Sequence, residues 1–157
     1  MSLELIRSSH AVGESNFHMQ LTVAYRQDIF SEGKVLRLVR AYILAKAEQI
    51  KVIICAIDFG PDHLHFFVSG CKNYSASRIV QRIKGYVSRM MRKNHKQLFF
   101  EKLWGDKFWS AGYFYRSIGA ITSEACEYYI KYSQQKHWVN LTFEEYQSQK
   151  QLALTHF

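Results

Sequence analysis

Residues 51–69, KVIICAIDF-GPD-HLHFFVS, constrain the fold more than any other stretch of the chain. Two apolar runs rich in β-branched and aromatic residues flank Gly60-Pro61-Asp62, and this turn holds the only proline. Proline fixes φ and lacks a backbone donor, so it belongs in the turn rather than inside either run. The pattern predicts two strands, 50–59 and 63–69, joined as a hairpin. In the second strand His63 and His65 alternate with Leu64 and Phe66. Successive strand side chains point to opposite faces, so the two histidines share one face while Leu64 and Phe66 share the other. Two imidazoles on one rigid face supply half of a metal site. An isolated His-x-His binds metal in only a minority of cases, so residues elsewhere must decide.

The flanking chain extends the hairpin into a larger α+β pattern. Residues 18–25 (HMQLTVAY) alternate and predict a strand, followed by a loop over 26–33. Over 34–49 Val35, Leu38, Val39, Tyr42, Ile43 and Ala47 recur at helical spacing. A second helix is expected over 75–94, with Ile79, Ile83, Val87 and Met90 on its apolar face. An aromatic stretch with Phe99, Phe100, Trp104, Phe108 and Trp109 precedes a further predicted strand over 113–118. Ser123 is placed to cap a third helix running to about 137, with Glu124 favourable in its first turn. The order β-α-β-β-α-β-α is that of a ferredoxin-like or RRM-like antiparallel sheet, with helices on one face and the other open to a ligand.

The 157 residues, 48% of them hydrophobic, suffice for one domain with a real core. Residues 1–157 are therefore expected to form a single domain, with a peripheral helical extension from about 139, where Thr142 and Glu145 form a capping box. Cys55, Cys71 and Cys126 are widely spaced without a C-x-x-C pattern and read as buried hydrophobes. The first residues lack a continuous apolar run, and no stretch of about 18 apolar residues occurs, so a cytoplasmic protein without membrane association is expected. Twenty-one Lys and Arg against thirteen Asp and Glu leave a net charge of +8, which favours polyanionic partners such as nucleic acid. Arg78, Arg82, Arg89, Lys93 and Lys96 fall along one stripe of the second helix, and Lys84 lies on the same helix. Such a stripe is either a nucleic-acid contact or an ordinary solvated face. Trp104 and Trp109 are likewise either stacking platforms or core.

The third helix concentrates further chemistry. Tyr128, Tyr129, Tyr132, Gln134 and Gln135 fall within eight residues. Partly buried helix aromatics would account for the tyrosines. The sharper alternative makes one of them a nucleophile attacking phosphorus beside a metal held by His63 and His65. A hard cation such as Mg²⁺ or Mn²⁺ would then take oxygen ligands from a helix side chain, water and phosphate. Two rivals use part of this inventory. A non-catalytic nucleic-acid-binding module needs the sheet and the basic field, and a zinc hydrolase needs the histidines plus a third strong ligand.

Together these residues resemble the small single-tyrosine HUH transposases of bacterial and archaeal insertion sequences. The family pattern is met by Pro61-Asp62 before His63-Leu64-His65, by Lys84-Gly85 with Arg89, and by Lys102-Leu103-Trp104-Gly105. Phe108-Trp109-Ser110 before Tyr113, and Ser123-Glu124 ahead of Tyr129-Ile130, complete the match across 16–138. The resemblance implies a transposase that cuts and rejoins single-stranded DNA through a 5′-phosphotyrosine, using Mg²⁺ or Mn²⁺. It also implies a homodimer acting on DNA hairpins at element ends, a nucleophile at Tyr129, and metal ligation by His63 and His65. A domesticated, non-catalytic single-stranded nucleic-acid-binding protein of the same fold is the alternative. The family's third ligand is a glutamine four residues after the tyrosine; that position is Ser133 here, and Gln134 follows one residue later. Four residues of regular helix rotate a side chain by about 40° and five by about 140°. A π-bulge would bring Gln134 round to Tyr129's face; otherwise Ser133, water or another glutamine completes the shell.

Overall fold

A short antiparallel pair, β1 (Ile6–Arg7) and β2 (Val12–Gly13), opens the chain in a computed structural model that describes residues 5–119 and 139–140. The main sheet follows. Its strands are β3 (Asn16–Val23), β4 (Ile53–Phe59), β5 (His63–Ser69), β6 (Trp109–Ile118) and β7 (Val139–Asn140), with α1 (Gly33–Gln49) and α2 (Ala76–His95) between them. The strand order is β6-β3-β5-β4-β7, and every pairing is antiparallel. The fold is thus the expected ferredoxin-like α+β sheet. The third helix lies outside the described residues.

The local sequence accounts for the element ends. Ser75 Oγ accepts from the Arg78 amide at 3.2 Å and caps α2, and the Glu32 carboxylate accepts from the Lys34 amide at the start of α1. At the far end of α1, Lys51 takes a left-handed φ of 60°, the Val52 amide donates to Ala47 and the Lys51 amide to Glu48. These two bonds satisfy carbonyls that the helix itself leaves open, and they turn the chain into β4. The strand expected over 18–25 runs instead over Asn16–Val23, with Ala24 and Tyr25 in a 3₁₀ turn, Ala24–Arg26, and the expected loop over 26–33 contains a second 3₁₀ turn, Ile29–Ser31.

Period two divides the sheet. Met19 and Leu21 of β3, Ile57 and Phe59 of β4, and Leu64 and Phe66 of β5 are buried in one core with Val39 and Ile43 of α1 and Ile79, Ile83 and Val87 of α2. Each such side chain contributes roughly 1.5–3 kcal/mol by leaving water. The hairpin 53–69 cannot slip by one residue without turning Leu64 and Phe66 out and both histidines in, so burial locks the register that the site depends on. Val139–Asn140, where a helical extension is expected to begin, pairs as a strand with β4, and the rest of that extension lies outside the described residues.

Candidate active site and nucleic-acid interface

His63 and His65 project from β5 on the face away from the helices, opposite Thr22 and Gln20 of β3. Their rings are 5.5 Å apart between centroids and inclined at 70°, close enough for one ion to reach both through metal–nitrogen bonds of about 2.1 Å. Each ring is held from behind by its Nδ1. For His63 the partner is an oxygen of the Asp62 carboxylate in a short hydrogen bond. For His65 it is Nε2 of His18, 3.0 Å away. His18 is itself clamped, stacked on Phe67 with centroids 4.8 Å apart and edge-on to Phe114 at 5.6 Å. Nδ1 atoms engaged in this way fix ring orientation and tautomer, so Nε2 is the atom each ring would offer to a metal.

Electrostatics favour the neutral, ligand-ready form of His65. Burial, reinforced by the nearby His18 and His63, lowers His65 to about 3, and burial with the Arg116 guanidinium lowers His18 to about 4. Burial alone would raise the Asp62 carboxyl, but hydrogen bonds from His63 and Arg26, with the Arg26 guanidinium charge beside it, outweigh burial and hold Asp62 below its usual value. Asp58 occupies the same face, as the cross-strand partner of His65, and is fully buried. Its burial pushes the carboxyl up to about 7 against the opposing pull of the Phe59 amide and Arg40.

The expected basic stripe separates into different surfaces. Arg78, Arg82 and Arg89 line one open groove with Gln81, Tyr86 and, from α1, Lys46. Lys46 and Arg89 approach the Tyr86 ring at 5.2 Å and 5.8 Å. Partial burial, followed by the charges of Arg82 and Arg89, lowers the Lys46 pKa, and an anion in the groove would oppose the part due to those charges. Lys84 faces elsewhere. Its Nζ donates to the carbonyls of Ser110 and Ala111 at 2.6 Å and 3.5 Å, tying α2 to β6. Lys93 is exposed away from the groove. Of the two tryptophans, Trp109 is buried and Trp104 is 83% exposed.

Tyr129 and Gln134 lie outside the described residues, so the structure joins neither to the histidines. Sequence reasoning missed His18 as a partner of His65, because the two meet only through a strand pairing 47 residues apart. It noted Asp62 as part of a motif without its hold on His63, although a carboxylate next to a histidine in a turn was a usable signal.

A model of the IS200-like transposases matches residues 11–133. The ISDra2 transposase TnpA of Deinococcus radiodurans is 25% identical over 131 residues, which span 83% of this chain and 92% of that protein. A crystal structure assigned as a transposase from the same organism has a TM-score of 0.65 at 18% identity, covering 83% of this chain and 99% of the other. A REP-associated tyrosine transposase bound to a REP hairpin has a TM-score of 0.50 at 13% identity, covering 83% of this chain and 70% of that one. The two structural likenesses are likenesses of fold.

Proposed function

This chain belongs to the IS200-like transposase family, and we propose that it cuts and rejoins single-stranded DNA at insertion-sequence ends through a 5′-phosphotyrosine intermediate. The observation that carries this reading is the histidine pair on the sheet face away from the helices, each ring oriented through an engaged Nδ1. His63 and His65 fit a divalent ion as two of its ligands. Among the described residues no group of three or more His, Cys, Asp and Glu is placed to hold a metal; the proposed remaining ligands are oxygens, with Gln134 the candidate in the chain. A bound Mg²⁺ or Mn²⁺ would polarise the scissile phosphate and stabilise the leaving oxygen.

Tyr129 is the proposed nucleophile. Its phenolic oxygen releases its proton to water and forms a bond to phosphorus as the bond to the 3′ oxygen breaks, and that oxygen leaves as a 3′ hydroxyl after taking a proton from water. The ester keeps the energy of the broken linkage, so a second 3′ hydroxyl can reverse the step. The groove of Lys46, Arg78, Arg82 and Arg89 offers a positive track for phosphates of a DNA hairpin, and the hairpin-bound relative supports that substrate class. β6 supports a homodimer. Among the described residues it is an edge strand, ten residues long, that exposes Tyr113, Phe114 and Tyr115, and such an edge invites pairing with a second chain.

The test is incubation of the protein and Mn²⁺ with labelled single-stranded oligonucleotides spanning the ends of the element that carries its gene. A covalent protein–DNA adduct is expected on a denaturing gel. Binding without an adduct would instead indicate a non-catalytic nucleic-acid-binding protein, and hydrolysis without an adduct a metal-dependent hydrolase.

A further inference from the structure

Tyr25 and Arg26, consecutive non-glycine residues, both lie in the left-handed region, with φ of 56° and 52°. Bulky side chains rarely adopt this conformation, and residues held in it gather at functional sites. Here the strain falls beside the histidine pair. Arg26 Nε donates to one oxygen of Asp62 at 3.0 Å, and the other oxygen of that carboxylate engages His63 Nδ1. An exposed arginine–carboxylate pair adds little stability, too little to explain two left-handed residues in succession.

The geometry leaves the rest of the guanidinium open. The Arg26 side chain is 71% exposed, and among the described residues its terminal nitrogens carry no hydrogen bond. It borders an open groove of about 370 Å³, lined also by Gln20, Thr22, Ser110 and Phe114. Thr22 and Gln20 are the cross-strand partners of His63 and His65, so the groove continues the histidine face.

We propose that Arg26 is a catalytic residue whose terminal guanidinium nitrogens clamp a phosphate of the DNA strand beside His63, while Nε stays pinned to Asp62. This rests on the proposed strand-cleavage reading of the same site. A planar guanidinium can serve a carboxylate on one edge and a phosphate on another, and a donor fixed before reaction stabilises charge as it develops on phosphate oxygens. Asp62 thereby sets the clamp and the His63 ring from a single carboxylate.

The wild-type protein is compared with Arg26→Gln, Arg26→Lys and Arg26→Gly in three measurements: the salt dependence of oligothymidine binding, Mn²⁺ affinity, and single-turnover cleavage of an end fragment. Arg26→Gln should reduce the log–log salt slope by about 0.7, the share of one neutralised phosphate on a single strand. It should cleave about a hundredfold more slowly, with Mn²⁺ affinity unchanged. Arg26→Lys should keep the slope but remain slow, because an ammonium cannot hold carboxylate and phosphate in one plane. Arg26→Gly should melt at the same or a higher temperature, since glycine accepts the left-handed backbone without strain. An unchanged slope in Arg26→Gln overturns the proposal. If Mn²⁺ affinity falls in step with cleavage while the slope holds, Arg26 is only a brace for Asp62 and His63. A reduced slope with a wild-type protein that neither binds Mn²⁺ nor cleaves would remove the metal-dependent reading and leave the phosphate clamp standing.

Discussion

His18 makes the most specific prediction at the scale of single residues, because its whole environment serves one ring of the pair. Only the tautomer in which His65 Nδ1–H donates to His18 Nε2 puts the metal-binding lone pair on His65 Nε2, so His18 must act as acceptor. His18→Leu should weaken Mn²⁺ binding roughly 10- to 100-fold, and His18→Gln, whose amide oxygen can accept the same proton, should recover much of that affinity. Titration calorimetry on the metal-free protein checks both, and equal affinity in wild type and His18→Leu would contradict the arrangement. His18 also leaves a mark on acid stability. It is held neutral down to about 4, whereas an unfolded histidine binds a proton below 6.5, so the unfolded state gains protons and stability falls as pH drops through that window. Asp58 works in the opposite sense. It stays protonated up to about 7 in the folded protein while the unfolded carboxyl releases its proton above 3.8, so its contribution weakens as pH rises between those values. The clean quantity is therefore the difference between wild type and His18→Leu. The wild-type melting temperature should fall relative to the variant's from pH 7 to pH 5, and parallel curves would count against a buried neutral His18.

At the scale of elements, α2 carries two kinds of cation with separable effects. Lys84 holds the Ser110 and Ala111 carbonyls, so Lys84→Ala should lower the melting temperature and leave the salt slope of single-stranded DNA binding unchanged. Replacing Arg82 and Arg89 together should do the reverse, with the slope falling by about 0.7 for each phosphate that is no longer neutralised. An unchanged slope in the double variant would make the groove an ordinary solvated face. The contrast marks what sequence can and cannot convey. α1, α2 and the 53–69 hairpin were legible because apolar periodicity and a lone proline in the turn point the same way. β1, β2 and β7 were not, since strands of two residues have no period to read. The first half of β6 was hidden by Ser110, Ala111 and Gly112, poor strand formers that sit where the register shifts between the Trp109–Val23 and Tyr113–Leu21 pairs, with Lys84 holding the carbonyls of the first two. The shared face of His63 and His65 followed from strand alternation alone, but the third imidazole required the β3–β5 register.

At the scale of the whole molecule, the proposed reaction requires Tyr129 to meet His63 and His65, and we propose that they meet across the subunits of a homodimer, which the family resemblance implies and the β6 edge, exposed among the described residues, supports. Mixing an inactive Tyr129→Phe chain with an inactive His63→Ala chain should then restore some cleavage, one intact composite site forming per heterodimer. Sedimentation showing only monomer, or heterodimers that form and stay inactive, would require a self-contained site instead. The central claim, covalent cleavage by Tyr129, is tested most directly by trapping the adduct with single-stranded DNA and Mn²⁺ and sequencing the modified peptide by mass spectrometry. The expected result is a nucleotide ester on Tyr129 in the wild-type protein and none in Tyr129→Phe. An ester on Tyr128 or Tyr132, or an adduct that survives in Tyr129→Phe, would contradict it.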